Sequence, residues 1–596
     1  MSTSSKMILK ESIPRFDAKK WNYFSKDRAE ILVSGLVYNW LEINDSKSPF
    51  SAEAFLSLFL EKRETLFEKI NGKLSVIIVL ENEIIAFRDQ WGEGPLVFYS
   101  GNQFADSMEN GISLVDKNLE LNPVALKSFM MYGFIPAPLT IVQGLSLIPA
   151  GHILRMNKNG DVLTHIFDYK EFKSEIISVS KEEALEEYGR LLKQSINRRI
   201  GKNETVGALL SGGYDSGGNI AVLREVFSGE IKSYSIGFKD NPFSELPYAK
   251  LMAEKFGADH HEYLMDQPDV EFLPDAIRAF GQPFAESGFM LNNAAMRMVK
   301  DENLPVVIGG DGNDQLFGTT GKELALQHIL RKSGFVLFQK MFKALSSNNL
   351  FEKDNILYKI RFHNFKILNA MMPDNFGFNQ SMLDGLFKLK NVGVHPVFLE
   401  TPKSYSDFTE LHNLHNLYLD IRHSINEVIL NKASRLSSYY GVNLAFTYLD
   451  KDIYNYIKKL PLDLRLAGSV KDLAKARGVT KLLHKQFTKP KLPTDVTSRK
   501  KQGGFSPLEI FFKDVTYRNR IYSYITKSDF VSKWMNKDAL KGFIDSFEIS
   551  MNSNGYWFWY KQLKSNQMIS LLIMVLWWDI FVNKKSFQRL SEYLNS

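Results

Sequence analysis

From Ile31 to about Tyr99 the chain alternates short apolar runs with polar connections. Ile31–Val33, Leu74–Leu80, Ile84–Phe87 and Leu96–Tyr99 are apolar and mostly β-branched or aromatic, which predicts strands. Between the first two, Ala52–Ile70 repeats apolar positions at three- and four-residue spacings, which predicts a helix. Gly111–Val115 and Gly151–Arg155 extend the strand set, and Lys- and Glu-rich sequence near Tyr169 marks a boundary. Residues 1–172 therefore read as one α+β domain, and 173–596 as a second.

In the second domain the rhythm changes. Lys181–Ile200 reads as a helix, Thr205–Leu210 as a strand, Asn219–Phe227 as a helix, Ile231–Phe238 as a strand, Glu245–Phe256 as a helix and Pro305–Ile308 as a buried strand. Such alternation predicts an α/β fold with a parallel sheet and helices on both faces. Beyond Lys322 the chain reads as mostly helical to Ser596. The longest apolar run, Ile569–Trp578, ends at Asp579 after ten residues. That is half of the roughly 20 needed to span a bilayer, so it predicts a buried core helix.

Composition narrows the chemistry. With 44% hydrophobic and 24% charged residues over 596 positions, the chain is neither disordered nor low in complexity. A net charge of +7 without a local cluster points to neither nucleic acid nor membrane. No cysteine is present, which excludes disulfides, zinc–thiolate sites, iron–sulfur clusters and cysteine nucleophiles. The first ten residues carry no apolar h-region, so a cytoplasmic protein is expected.

Ser211-Gly-Gly-Tyr-Asp-Ser216 stands directly between a predicted strand and a helix. Small residues there let backbone N–H groups and two hydroxyls close around an oxyanion at a helix N-terminus. No Gly-Lys-Ser/Thr follows, so this is not a Walker A loop; Asp215 inside it suggests a metal bridged to pyrophosphate. Gly309-Gly-Asp-Gly-Asn-Asp-Gln-Leu-Phe-Gly318 also follows a buried strand. Alone it reads as a solvated turn. Paired with the first loop at the carboxyl ends of a doubly wound sheet, it brings Asp314 opposite Asp215 as a candidate Mg²⁺ pair. Asp259-His-His-Glu262 does not read as a metal site, because adjacent histidines on a strand point to opposite faces. Arg499-Lys-Lys-Gln-Gly-Gly-Phe505, taken alone, is a basic loop.

Together these segments resemble the asparagine synthetase family along nearly the whole chain. Leu209–Ser216 is similar to that family's pyrophosphate loop, and Ser235-Ile-Gly-Phe238 to its adenine-side strand. Arg435-Leu-Ser437, Leu449-Asp450, Lys501-Gln-Gly503 and Pro507-Leu508 also fit. In the first half, Arg88–Leu96, Tyr132–Thr140 and Pro149–His152 resemble the glutaminase-like domain. The resemblance implies an Ntn-hydrolase-like α+β sandwich followed by a PP-loop domain with a helical C-terminal part. It implies that a carboxylate attacks the α-phosphate of ATP, pyrophosphate leaves, and an amine displaces AMP to give an amide. It assigns phosphate to Ser211, Gly212, Gly213 and Ser216, and nucleotide contacts to Leu210, Ile236, Gly309 and Gly310. Asp215 and Asp314 are assigned Mg²⁺, Lys501 charge neutralisation at the acyl-adenylate, and Asp311 a part in proton transfer.

The departures are as informative. The family's amidotransferase nucleophile is a cysteine at position two; here Ser2 stands five residues ahead of the first plausible strand. The family's Asn-Gly-Glu-Ile-Tyr-Asn reads Ser34-Gly-Leu-Val-Tyr-Asn39, without the oxyanion donor and the glutamine anchor, and its Arg-Gly-Pro-Asp segment is missing. A dead glutaminase is expected. Asn443 and Ala445 stand where the family has an acid and a base, and Gln282 where an acid is usual, which argues against aspartate as substrate. The chain thus resembles the branch that closes rings with the substrate's own amine: β-lactam and carbapenam synthetases and the macrolactam synthetases of lasso peptides. That branch implies a precursor peptide as substrate, with an accessory protease or leader-binding protein. An ammonia-using asparagine synthetase or carboxylate amidase, and a non-catalytic scaffold, are the alternatives; tRNA-thiolating PP-loop enzymes generally rely on cysteines.

Overall fold

The computed structural model describes residues 13–115, 119–165, 176–239, 244–286, 288–319, 321–332, 377–389, 392–393, 405–498, 508–553 and 555–596, with single positions 356, 359 and 395. The boundary near Tyr169, and the Arg499–Phe505 loop with Lys501, lie outside these residues.

In the first half, the apolar runs form a six-stranded antiparallel sheet and a small three-stranded one. The strands are β1 (Asn22–Lys26), β2 (Ala29–Val37), β3 (Gly72–Val79), β4 (Glu83–Arg88), β5 (Phe98–Ser100), β6 (Gln103–Ala105), β7 (Ser146–Leu147), β8 (His152–Asn157) and β9 (Gly160–His165). The large sheet runs β1-β2-β3-β4-β8-β9 and the small one β6-β5-β7. Two expectations change here. The predicted Ala52–Ile70 helix is two helices, Ala52–Lys62 and Thr65–Lys69, because Arg63 between them adopts a left-sided φ of 52°. Gly111–Val115 is no strand: Ser107 caps a short helix, Met108–Ile112, by accepting the Asn110 N–H.

The second half is built on a five-stranded parallel sheet of β10 (Thr205–Leu209), β11 (Glu230–Phe238), β12 (Asp259–Met265), β13 (Val307–Gly309) and β14 (Leu444–Phe446), ordered β12-β11-β10-β13-β14. The order reverses between β10 and β13, so the loops after these two strands open onto one crevice. Strand β14 falls in the stretch expected to be helical. It is only three residues long, too short to show a period. The remainder of that stretch is mostly helical, and the Phe558–Val582 helix, whose most apolar window is 94% buried, is a core element.

One core joins the halves, running from Trp91 and Phe98 through Phe129 to the Phe558–Trp577 helix. Polar contacts cross the same boundary. Asp450, 1% exposed, receives Arg199 at 2.9 Å and the Asn71 amide at 2.8 Å. Burial alone would raise the Asp450 pKa; Arg199, Arg198 and the Asn71 hydrogen bond more than offset it and hold it below the usual range. Its contribution is therefore complete above the unfolded-state value of about 4 and is lost as pH falls through the lower folded value. Asp450→Ala strands a buried guanidinium and is expected to cost about 3–5 kcal/mol at pH 7, with a smaller penalty in acid; urea midpoints at the two pH values measure it.

Candidate active site

Beyond β10, Leu210 still donates its N–H to the Tyr234 carbonyl of β11, and the loop then turns straight into the Tyr214–Val226 helix. That helix starts five residues earlier than its apolar period suggests, so Asp215 and Ser216 lie on its first turn, where free N–H groups and the dipole favour anions. The Ser216 hydroxyl braces the loop, meeting the Ser211 hydroxyl at 2.9 Å, the Ser211 N–H at 3.0 Å and the Ser211 carbonyl at 2.8 Å. Gly310 allows the second loop to close on this turn, since a Cβ there would stand 3.3 Å from the Ser216 nitrogen.

The next glycine pair works differently. A Cβ on Gly217 would meet Met252 Sδ at 2.6 Å, and one on Gly218 would meet Thr488 and His484 within 2.9 Å. Glycine inside a helix costs roughly 0.5–1 kcal/mol relative to alanine. Here Gly218 lets the Leu482–Thr488 helix lie against the loop helix, while Gly217 makes room for Met252 and Leu492. That packing delivers Lys481, which caps the second helix in a left-handed conformation (φ 54°) and is 4% exposed. Its ammonium donates to both Asp215 oxygens, at 2.8 and 2.6 Å, and to Asp314.

Electrostatics follow from that contact. Burial would raise the Asp215 pKa, but Lys481, His484 and the Asn313 amide bring it down to about 2. Lys481 is raised despite its own burial, by the two carboxylates. Burial lowers His484 to about 4, so it is neutral at pH 7. Its Nε2–H donates to the Tyr214 carbonyl at 3.2 Å and its Nδ1 accepts the Tyr188 hydroxyl at 2.9 Å. Asp311 moves up to about 6, through burial and the neighbouring Asp314 and Asp215, although Lys432 opposes the shift. Lys432 is paired with Glu286 at 2.6 Å.

These loops surround a cavity of about 730 Å³. Of the residues singled out from sequence, Leu210, Ser211, Asp215, Ser216, Ile236, Gly310, Asp311 and Asp314 line it. Gly212 and Gly213 belong to the same loop without lining it, and Gly309 ends β13 with its carbonyl taken by Asn219 at 2.8 Å, so it braces the loop rather than facing the cavity. Three positions read as bearing on the substrate lie elsewhere. Asn443 bonds Lys73 and the Pro305 carbonyl, Ala445 is buried in β14, and Gln282 accepts the Ile141 N–H at 2.9 Å. Asn443 and Gln282 join the two halves, Ala445 pairs with Ile308 inside the parallel sheet, and none of the three lines the cavity. Lys481, Lys432 and Glu286 were not foreseen; an isolated lysine has no pattern, and only packing identifies it.

His260 and His261 separate as expected, one to Ser233 and the other to Asp259, and no group of three or more metal-ligating side chains occurs among the described residues. Asp215 and Asp314 nevertheless fit a hard divalent cation. They already share one cationic group, and Mg²⁺ is commonly held by one or two carboxylates together with substrate phosphates.

Residues 187–579 match the family model described as asparagine synthase, and residues 22–168 the one described as a glutamine amidotransferase domain. The chain is 22% identical over 582 residues to asparagine synthetase (glutamine-hydrolyzing) 1 of Bacillus subtilis (strain 168), covering 93% of this chain and 86% of that protein. It is 29% identical over 314 residues to putative asparagine synthetase (glutamine-hydrolyzing) 2 of Methanocaldococcus jannaschii, covering 49% and 59%. Against a putative asparagine synthetase (glutamine-hydrolyzing) of Mycobacterium bovis it is 22% identical over 603 residues, covering 95% and 86%.

Lys481→Met leaves two like charges facing each other. A loss on the order of 2–3 kcal/mol is expected at pH 7, below that of a fully buried pair because Asp314 is partly exposed. Without Lys481 the Asp215 pKa rises, so the deficit relative to wild type shrinks toward pH 4.5, as chemical denaturation at both pH values would show.

Proposed function

The chain belongs to the asparagine synthase family and is an ATP-dependent carbon–nitrogen ligase that forms amides; on that premise we propose that it is a lactam or macrolactam synthetase, taking the amine from its own substrate and releasing no ammonia from glutamine. One observation carries this reading. The nucleotide cradle keeps Ser211, Asp215, Ser216 and Asp314, whereas the chain has no cysteine to attack glutamine. The positions of the family's oxyanion donor and glutamine anchor carry Ser34 and Leu36, and Leu36 is 45% exposed.

In this mechanism Ser211, Ser216 and the first-turn N–H groups of the Tyr214–Val226 helix hold the departing pyrophosphate. Asp215 and Asp314 would hold Mg²⁺, which when bound supplies charge neutralisation on the phosphates. Lys481 keeps Asp215 ionised and holds it in register with Asp314, and Lys501 is assigned to neutralise charge at the acyl-adenylate. Asp311, with its pKa near 6, is ionised at neutral pH and accepts the proton that the attacking amine loses.

A pyrophosphate-release assay with ATP and Mg²⁺ tests the reading. Release with a precursor peptide, and none with aspartate plus ammonia, is expected. Release with aspartate and ammonia would return the protein to the function named for its relatives, and any glutamate formed from glutamine would refute the loss of glutaminase. Asp215→Ala is expected to cut turnover at least about 100-fold with the fold intact by circular dichroism. Turnover of wild type should fall about tenfold per pH unit below about 6, a limb that Asp311→Asn removes while lowering the plateau.

A further inference from the structure

Two of the residues lining the ligase cavity, Tyr132 and Phe134, come from the amidotransferase-like half. The sequence sets them there by a start and a stop. Asn122 caps the Pro123–Tyr132 helix by accepting the Val124 and Ala125 N–H groups at 3.0 and 3.1 Å, and Gly133 ends it in a left-handed conformation (φ 81°). The chain then crosses to the second half. The Gly133 carbonyl accepts the Ala285 N–H at 2.8 Å, one residue before Glu286, and the Met130 carbonyl accepts the Phe378 N–H at 2.9 Å. Beyond the turn, Ala137 donates to Glu427 at 3.2 Å. Both aromatic side chains are nearly buried, Tyr132 at 9% and Phe134 at 3% exposure. The aromatic pair and Glu286 are thus fastened to each other.

The same cavity is apolar at Val428 and Ile429, which project from a stretch of helix wound in i→i+5 turns, and it also holds Asp311 and the Glu286–Lys432 ion pair. A half-buried carboxylate such as Asp311 attracts an ammonium group, and an apolar substituent next to that group gains by leaving water. Ammonia has no such substituent, so an aromatic wall adds little to its binding.

We propose that Tyr132 and Phe134 are specificity-determining residues of the ligase site, forming the wall on which the acceptor packs the apolar group next to its amine. The proposal rests on the amide-ligase reading above and adds the acceptor's chemical class: a primary amine with an apolar flank, as a peptide presents. It also gives the amidotransferase-like half a task that does not involve glutamine.

Calorimetric titration of the full chain, loaded with Mg²⁺ and a non-hydrolysable ATP analogue, tests this with L-phenylalaninamide and glycinamide as probes. Wild type is expected to bind phenylalaninamide at least about tenfold more tightly, and Tyr132→Ala and Phe134→Ala to bring the two within about threefold, with analogue affinity unchanged. Equal binding of the two amides by wild type, absence of binding by either, or a preference that survives both substitutions overturns the wall. If an alanine variant loses analogue binding, Tyr132→Phe and Phe134→Leu decide: Phe134→Leu must lower the preference while Tyr132→Phe, which keeps the ring, must retain it. Failure of the lactam reading is seen separately, as pyrophosphate release with aspartate and ammonia.

Discussion

The ammonium of Lys481 between Asp215 and Asp314 is the contact on which the site depends. Two loops at the reversal point of the parallel sheet bring two carboxylates together, and without a cation between them desolvation and repulsion would neutralise one or push the loops apart. Supplying that cation requires a lysine in a left-handed backbone conformation at the start of the Leu482–Thr488 helix. That helix approaches because Gly218 has no side chain to hold it off. A neutral His484, fixed between Tyr188 and the Tyr214 carbonyl, completes the contact without adding charge. The two carboxylates are therefore held side by side at the cavity, the arrangement that the proposed Mg²⁺ site requires.

The two halves are physically one body around this centre. A shared hydrophobic core, the buried Asp450–Arg199–Asn71 cluster and the Lys73–Asn443 contact hold them together. Several residues that differ from the family's usual pattern, Gln282 and Asn443 among them, belong to this seam. The amidotransferase-like half presents Tyr132 and Phe134 to the ligase cavity. Removing it would open that cavity and expose core, which is a physical reason for its retention.

Much of the fold was legible. Long periodic segments such as Lys181–Ile200 and strands such as Glu230–Phe238 lie where their apolar spacing puts them, because each buries one face over many residues. Short elements were not legible in the same way. Strand β14 has three residues, and Gly111–Val115 is apolar enough for a strand yet sits where Ser107 starts a helix. The Pro123–Tyr132 helix carried its own signals, Asn122-Pro123 at the start and Gly133 at the end, which periodicity alone overlooks.

By itself the sequence determined the alternating strand–helix order, the glycine and serine chemistry of the Ser211–Ser216 loop, the acidic loop around Asp311 and Asp314, and the absence of any thiol. These are local: each is carried by residues adjacent in the chain. Only the tertiary structure decided that Lys481 neutralises the carboxylates, that Glu286 and Lys432 pair in the cavity wall, and that Tyr132 and Phe134 reach the cavity from the other half. Those contacts join residues 146 to 266 positions apart or lying in different halves, and a lone lysine or aromatic has no periodicity or spacing to mark it. Its role is set by what packing places within about 3 Å of it, where desolvation makes charge and hydrogen bonding strongest.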